Sequence, residues 1–166
     1  MTGASNLIQL AERALAMARQ GNVTIVTAES CTAGKLSALL SETPGAAENL
    51  HGGFVAYTKA NKVKSLGVSA DLLRRKGAVC PDVALAMAEG ALARSPASLA
   101  VSITGVAGPD PDEDGNPVGF VCIAVIRDEV EPRHVEKHYG NLGRGKVQEF
   151  AMADALAELI HALASP

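Results

Sequence analysis

Aromatic residues are scarce in this chain of 166 residues, with three Phe, two Tyr and no Trp. Any core must therefore be built from Ala, Val, Leu and Ile, which pack through shape and not through ring stacking. Aromatic platforms for unstacked bases are also missing. No basic run exceeds Lys62-Val63-Lys64 or Arg74-Arg75-Lys76, and the net charge is −3. A nucleic-acid partner would call for a basic face and stacking side chains, so none is expected. Cysteine is equally sparse. Cys31, Cys80 and Cys122 are odd in number, far apart and form no C-x-x-C pair, which excludes a disulfide framework and fits a reducing, cytoplasmic compartment. No apolar run reaches 18 residues and no charged segment with a following apolar block opens the chain, so neither a membrane span nor a signal peptide is expected.

What the chain does contain is a regular alternation of helical and strand patterns. Asn6 to Arg19 places Leu7, Leu10, Ala11, Ala14 and Leu15 on one helical face, closed by Gly21. Val23–Ala28 ("VTIVTA") is β-branched and reads as a buried strand, followed by a helical stretch over Thr32–Glu42. A strand at Gly52–Thr58 leads to a short helix ended by Gly67. A helix capped by Ser69 runs to Gly77, and another opened by Pro81 reaches Arg94. Ala97–Gly105 is a third strand. Gly119–Ile126 and Glu131–Gly140 form a hairpin, and a long Ala/Leu-rich helix runs from Gly145 to Ala164. The order predicts an α/β fold with helices on both faces of one sheet, in a single domain over residues 1–166.

In such sheets, function gathers beyond the carboxyl ends of parallel strands. Three polar clusters fall there: "AESCTAG" from Ala28, "YTKANK" from Tyr57 and "TGVAGPD" from Thr104. Ser30 begins the first. It is either a plain helix cap or a nucleophile whose oxyanion is met by the N–H groups of Cys31, Thr32 and Ala33. Cys31 is the other candidate nucleophile, but a partner His is wanting, and a buried Cys usually serves as a small hydrophobe. With no convincing histidine, Lys62 and Tyr57 are left to activate Ser30, directly or through a phenolate. Thr104, Gly105 and Gly108 allow a backbone to approach a ligand closely. Arg144, between two glycines before the last helix, suits a phosphate or carboxylate. Asp110–Asn116 lacks the spacing of a cation loop and reads as solvated. His134, Glu136 and His138 alternate along one strand as an exposed face.

Together, "TAESCTAG", "GGFVAYTKANKVKSLGV", "GAVCPDVALAMAEGA", "SITGVAGPD", "PVGFVCIAV" and the Arg144 segment resemble the CinA C-terminal domain family, the nicotinamide-nucleotide amidohydrolases often called PncC. The resemblance runs from about Leu7 to Leu163. It implies a three-layer α/β/α sandwich on a mixed, mostly parallel five-stranded sheet, a stand-alone member and a homodimer. The implied activity is deamidation of nicotinamide mononucleotide to nicotinic acid mononucleotide and ammonia in pyridine-nucleotide salvage, with no metal or other cofactor. Ser30, Tyr57 and Lys62 take the places of the family's catalytic residues. Arg144 takes that of a pocket arginine, with Cys31, Thr32, Thr104 and Gly105 around the substrate and Glu29 complementing its pyridinium charge. Two departures stand out. Lys59 adds a cation beside Lys62, and Asp110, Pro111 and Asp112 replace a glycine pair. A nucleotide-binding or partner-binding module without turnover, or a serine amidase for another small amide, are the alternatives.

Overall fold

The computed structural model describes residues 3–165, with side chains from Asn6 onward. Residues 1, 2 and 166 of the expected domain lie outside it. The elements are α1 (Gly3–Gln20), β1 (Ile25–Glu29), α2 (Lys35–Ser41), α3 (Ala46–Asn49), β2 (Leu50–Val55), α4 (Lys59–Leu66), α5 (Ala70–Lys76), α6 (Pro81–Ala93), β3 (Leu99–Gly105), β4 (Phe120–Arg127), β5 (Arg133–His138) and α7 (Arg144–Ala164). The sheet order is β2-β1-β3-β4-β5. β2, β1 and β3 are parallel neighbours; β4 runs antiparallel to β3, and β5 antiparallel to β4. Four of the five strands thus point the same way; the helices on both faces are as the sequence pattern predicts, and the mixed three-layer sandwich is as the resemblance implies.

The strands alternate between two cores, as their period of two requires. Ile25, Leu99, Val101, Ile103, Val121 and Ile123 pack with α1, α2 and α7. Val26, Ala28 and Ala100 pack with α4, α5 and α6, and Cys122 and Ala124 extend that second layer. This parity decides where β1 delivers its last residues. Thr27 and Glu29 fall on the α2 side, and Ser30 continues the Val26–Ala28 side, toward α4.

Two departures from the sequence pattern matter for the site. The predicted helix from Thr32 begins only at Lys35, because Ala33 (φ 50°) and Gly34 (φ 92°) take left-handed conformations. The predicted strand at Gly52–Thr58 ends at Val55, so Tyr57 stands in the loop before α4, whose N-cap is Thr58. The four-residue α3 has no apolar period of its own, and the sequence pattern does not contain it. α4 lies close against α6: a Cβ on Gly90 would sit 1.9 Å from the Leu66 carbonyl oxygen, so this position admits only glycine without moving α4.

Candidate active site

Ser30 leaves β1 just past its carboxyl end, its own N–H bonded to the Ile103 carbonyl of β3 at 2.9 Å. The cap reading of Ser30 is not what the structure uses. α2 has no side-chain cap at Gly34; the Glu29 carboxylate takes that role from the strand end. It accepts the N–H groups of Gly34 and Leu36 at 3.1 Å and of Ser37 at 2.8 Å, plus the Thr32 hydroxyl at 2.6 Å. Its burial is matched by these hydrogen bonds, with the Thr27 hydroxyl a more distant donor at 3.4 Å. Glu29 therefore holds the turn together from inside; it does not line the cavity over Ser30, which is where the expected role beside a pyridinium charge would need it. Thr32 is fully buried with it. The capping duty taken by Glu29 leaves the Ser30 hydroxyl free for another partner.

That partner is Lys62. α4 carries it across the sheet face so that Nζ lies 2.7 Å from Ser30 Oγ, 3.0 Å from the Ala56 carbonyl oxygen and 3.3 Å from that of Tyr57. The amine is 1% exposed, among the largest fully buried side chains of the protein. Burial disfavours its charged form and lowers its pKa from 10.5 to about 8, with Lys59 adding a weaker push in the same direction. The three acceptors match the three N–H bonds of an ammonium. On loss of a proton, the two carbonyls can hold the two remaining hydrogens, and the lone pair is left facing Ser30. Lys59 itself is engaged with Glu113 and Asp114, at 2.8 Å each, which ties the loop after β3 to the start of α4.

Cys31 lines the same cavity, but burial pushes its thiol up to about 12, so it is a neutral thiol at physiological pH and a poor nucleophile. Of the three backbone donors expected after Ser30, the Ala33 N–H is taken by the Ser30 carbonyl at 3.0 Å. Among the described residues, those of Cys31 and Thr32 have no acceptor.

A cavity of about 190 Å³ opens over the serine, lined by Ser30, Cys31, Tyr57, the Gly105–Gly108 backbone, Asp110, Asp112 and Arg144. Tyr57 is brought to it differently from the expected proton relay. Its ring is 54% exposed, its backbone carbonyl faces Ser30 and Lys62, and its hydroxyl accepts from Arg144 Nη1 at 3.3 Å. Arg144 also donates to the Gly108 carbonyl, so it bridges two loops across the cavity mouth. Thr104 stays below the floor: it is buried, and its hydroxyl donates to the Ala78 carbonyl at 2.8 Å. Gly105 does line the cavity, and a Cβ there would approach Val121 Cγ2 to 2.6 Å.

Asp112 closes its own loop by accepting from the N–H groups of Asp114 and Asn116 and from Asn116 Nδ2. Asp110 has no partner among the described residues and stands exposed at the rim. The exposed face of His134, Glu136 and His138 on β5 is as the sequence predicts and lies on another edge of the sheet. Among the described residues no group of His, Cys, Asp or Glu is arranged to hold a metal ion, and no helix is long and apolar enough to cross a membrane.

One contributor escaped the sequence reading. Gln148 of α7 is buried, donates to the Cys31 carbonyl at 2.8 Å and accepts from Lys35 Nζ at 2.6 Å. The signal was present: Gln148 is a polar residue on a helical face otherwise made of Val147, Ala151, Met152 and Ala155, four residues after Arg144.

The family profile described as the CinA C-terminal domain matches residues 7–163. A CinA-like protein of Chlorobium phaeobacteroides is 43% identical over 129 residues, 77% of this chain and 31% of that protein. One from Mycobacterium sp. strain JLS is 53% identical over 104 residues, 63% of this chain and 25% of that protein. The chain thus spans about a quarter to a third of the length of these curated relatives. The crystal structure of the competence/damage inducible protein CihA from Agrobacterium tumefaciens superposes with a TM-score of 0.91 at 38% identity, over 96% of either chain. A competence-damaged protein (CinA) superfamily member from Escherichia coli gives 0.90 at 33% identity, over 94% of this chain and 90% of its own. The fold, the site sequences and these relatives agree, and the chain belongs to the CinA C-terminal domain family.

Proposed function

We propose that the protein is an amidohydrolase that uses Ser30 as nucleophile and Lys62 as general base, and that its substrate is nicotinamide mononucleotide. The observation that carries this reading is the buried 2.7 Å contact between Lys62 Nζ and Ser30 Oγ, with an amine pKa drawn down to about 8. As Oγ attacks the carboxamide carbon, Lys62 takes the hydroxyl proton and the carbonyl oxygen becomes an oxyanion, held by the N–H groups of Cys31 and Thr32. Lys62 then returns the proton to the leaving nitrogen, the C–N bond breaks, and ammonia departs from an acyl-Ser30 ester. Water attacks that ester with Lys62 again as base. The carboxylic acid is released and the serine restored. Arg144, at the mouth, is the cation available for the phosphate, and Tyr57 orients it and covers the pocket.

A second reading has its own observation. Asp110 and Asp112 line the same mouth as Arg144 and place negative charge where a phosphate would sit, which favours an amide without one. Ammonia release by metal-stripped protein, from nicotinamide mononucleotide and from a panel of unphosphorylated amides, separates the two. Release from the nucleotide by wild type and not by Ser30→Ala is the expected result. Equal release by Ser30→Ala would overturn the serine mechanism, and turnover only of unphosphorylated amides would replace the substrate.

A further inference from the structure

We infer that Gln148 is a positioning residue for the oxyanion site, acting from behind the serine turn; this rests on the serine chemistry proposed above. Its amide orientation is settled by its partners. Lys35 can only donate, so Oε1 faces it, and the Cys31 carbonyl can only accept, so Nε2 faces that. In a trans peptide the carbonyl and the following N–H point in opposite directions. Holding the Cys31 carbonyl toward α7 therefore turns the Thr32 N–H the other way. That N–H is one of the two in the turn with no acceptor among the described residues. That peptide is the second after Ser30, with the Ser30–Cys31 peptide between them, so the clamp sets the donor one residue beyond the nucleophile.

A merely space-filling residue would not need this chemistry. The neighbours of Gln148 on the buried face of α7 are apolar, and Met or Leu would pack there as well. One of its hydrogen bonds holds the backbone of the turn at Cys31, two residues before the left-handed Ala33–Gly34 segment, and the other meets the side-chain amine of Lys35, the first residue of α2. Left-handed backbone at a non-glycine residue persists only when its surroundings enforce it. Glu29 enforces it by accepting the Gly34 N–H, and Gln148 fixes the Cys31 carbonyl just before it. α7 thereby contributes twice, with Arg144 in front of the cavity and Gln148 one turn later behind it.

The test compares Gln148→Met, which keeps the bulk, Gln148→Glu, which keeps an acceptor for Lys35 but loses the donor to Cys31, and Lys35→Met, which leaves that donor in place. Amide hydrolysis is measured as kcat and KM across pH, per folded molecule as judged by circular dichroism. Both Gln148 variants should lose about 100-fold in kcat, the scale of a lost oxyanion donor. Their KM should stay within about threefold of wild type, and in the uncharged Gln148→Met the rise of activity with pH should not move, because Lys62 and the charges around it are untouched. Lys35→Met should lose less than about fivefold. A Gln148→Met protein that is folded and within threefold of wild-type kcat would overturn the inference, as would a shifted pH profile.

Labelling of Ser30 by a fluorophosphonate separates this inference from the choice of substrate. Oγ bonds to phosphorus, fluoride leaves, Lys62 takes the hydroxyl proton, and the phosphoryl oxygen occupies the same donors. If wild type releases no ammonia yet is labelled, the amide substrate fails and the labelling rates still decide the role of Gln148. About 100-fold slower labelling of both Gln148 variants supports it, and equal rates overturn it. A wild type inert to both overturns the inference together with the serine reading.

Discussion

The floor and the rim of the cavity are built on opposite terms. On the floor, Glu29, Ser30, Thr32 and Lys62 are buried, and each side-chain polar group meets partners fixed by strand ends, the start of α2 and the α4 backbone. At the rim, Tyr57, Asp110 and Arg144 are exposed; Arg144 bonds directly to the Tyr57 hydroxyl and the Gly108 carbonyl, and Asp110 has no partner among the described residues. A buried amine suffers the full loss of hydration, which is why Lys62 is shifted to about 8. Exposed charges keep their water and their freedom, so their interactions are individually weak and adjustable. Under the proposed function, the bond-breaking chemistry belongs to the floor and the choice of substrate to the rim. Lys59 and Asp110–Asp112, where the sequence departs from the resemblance, all lie at or outside the rim.

Substitutions on the two sides should then fail in different ways. Lys62→Met removes the base and should lower kcat by 1000-fold or more while leaving substrate binding close to wild type. Comparable kcat in that variant would dissolve the distinction between floor and rim. Arg144→Ala acts on the rim and should raise KM for the nucleotide by about tenfold or more, the scale of a lost charged hydrogen bond, with kcat changed far less. Steady-state kinetics with the nucleotide and with its unphosphorylated nucleoside sharpen the point, because only the nucleotide should feel the change. A fall in kcat that matched Lys62→Met would mean that the arginine takes part in the chemistry. The smallest effect belongs to Asp110→Asn. Relief of repulsion at an exposed position should lower KM for the nucleotide by about two- to fivefold, more at low salt than at high salt. A higher KM would show that Asp110 binds the substrate and does not repel it.

Much of the fold was legible because its signals are local. The β-branched runs of β1, β3 and β4, the cap at Ser69, the opening Pro81 and the glycine stops at Gly67 and Gly77 each specify one element without help from elsewhere. The candidate residues Ser30, Lys62, Tyr57 and Arg144 were also legible, as polar clusters at strand ends and a poorly placed arginine at a helix start. Their division of labour was not. Whether Glu29 or Ser30 caps α2 depends on two left-handed residues, of which Ala33 carries no sequence mark. Tyr57 reads from the sequence as a phenolate relay beside Lys62, whereas the end of β2 at Val55 presents the Tyr57 carbonyl to Lys62 and sends the ring to Arg144. Gln148 stands 117 residues from the carbonyl it holds, a distance no periodicity can bridge.

The most direct measurement is the pH dependence of kcat/KM for ammonia release by the wild-type protein. Lys62 must be neutral to accept the serine proton, and its folded pKa lies near 8, below the 10.5 of an ordinary lysine. Activity should therefore rise tenfold per pH unit below about 8 and level off above it. A profile flat between pH 6 and 9, or one that keeps rising until pH 10, would contradict Lys62 as the buried base that activates Ser30.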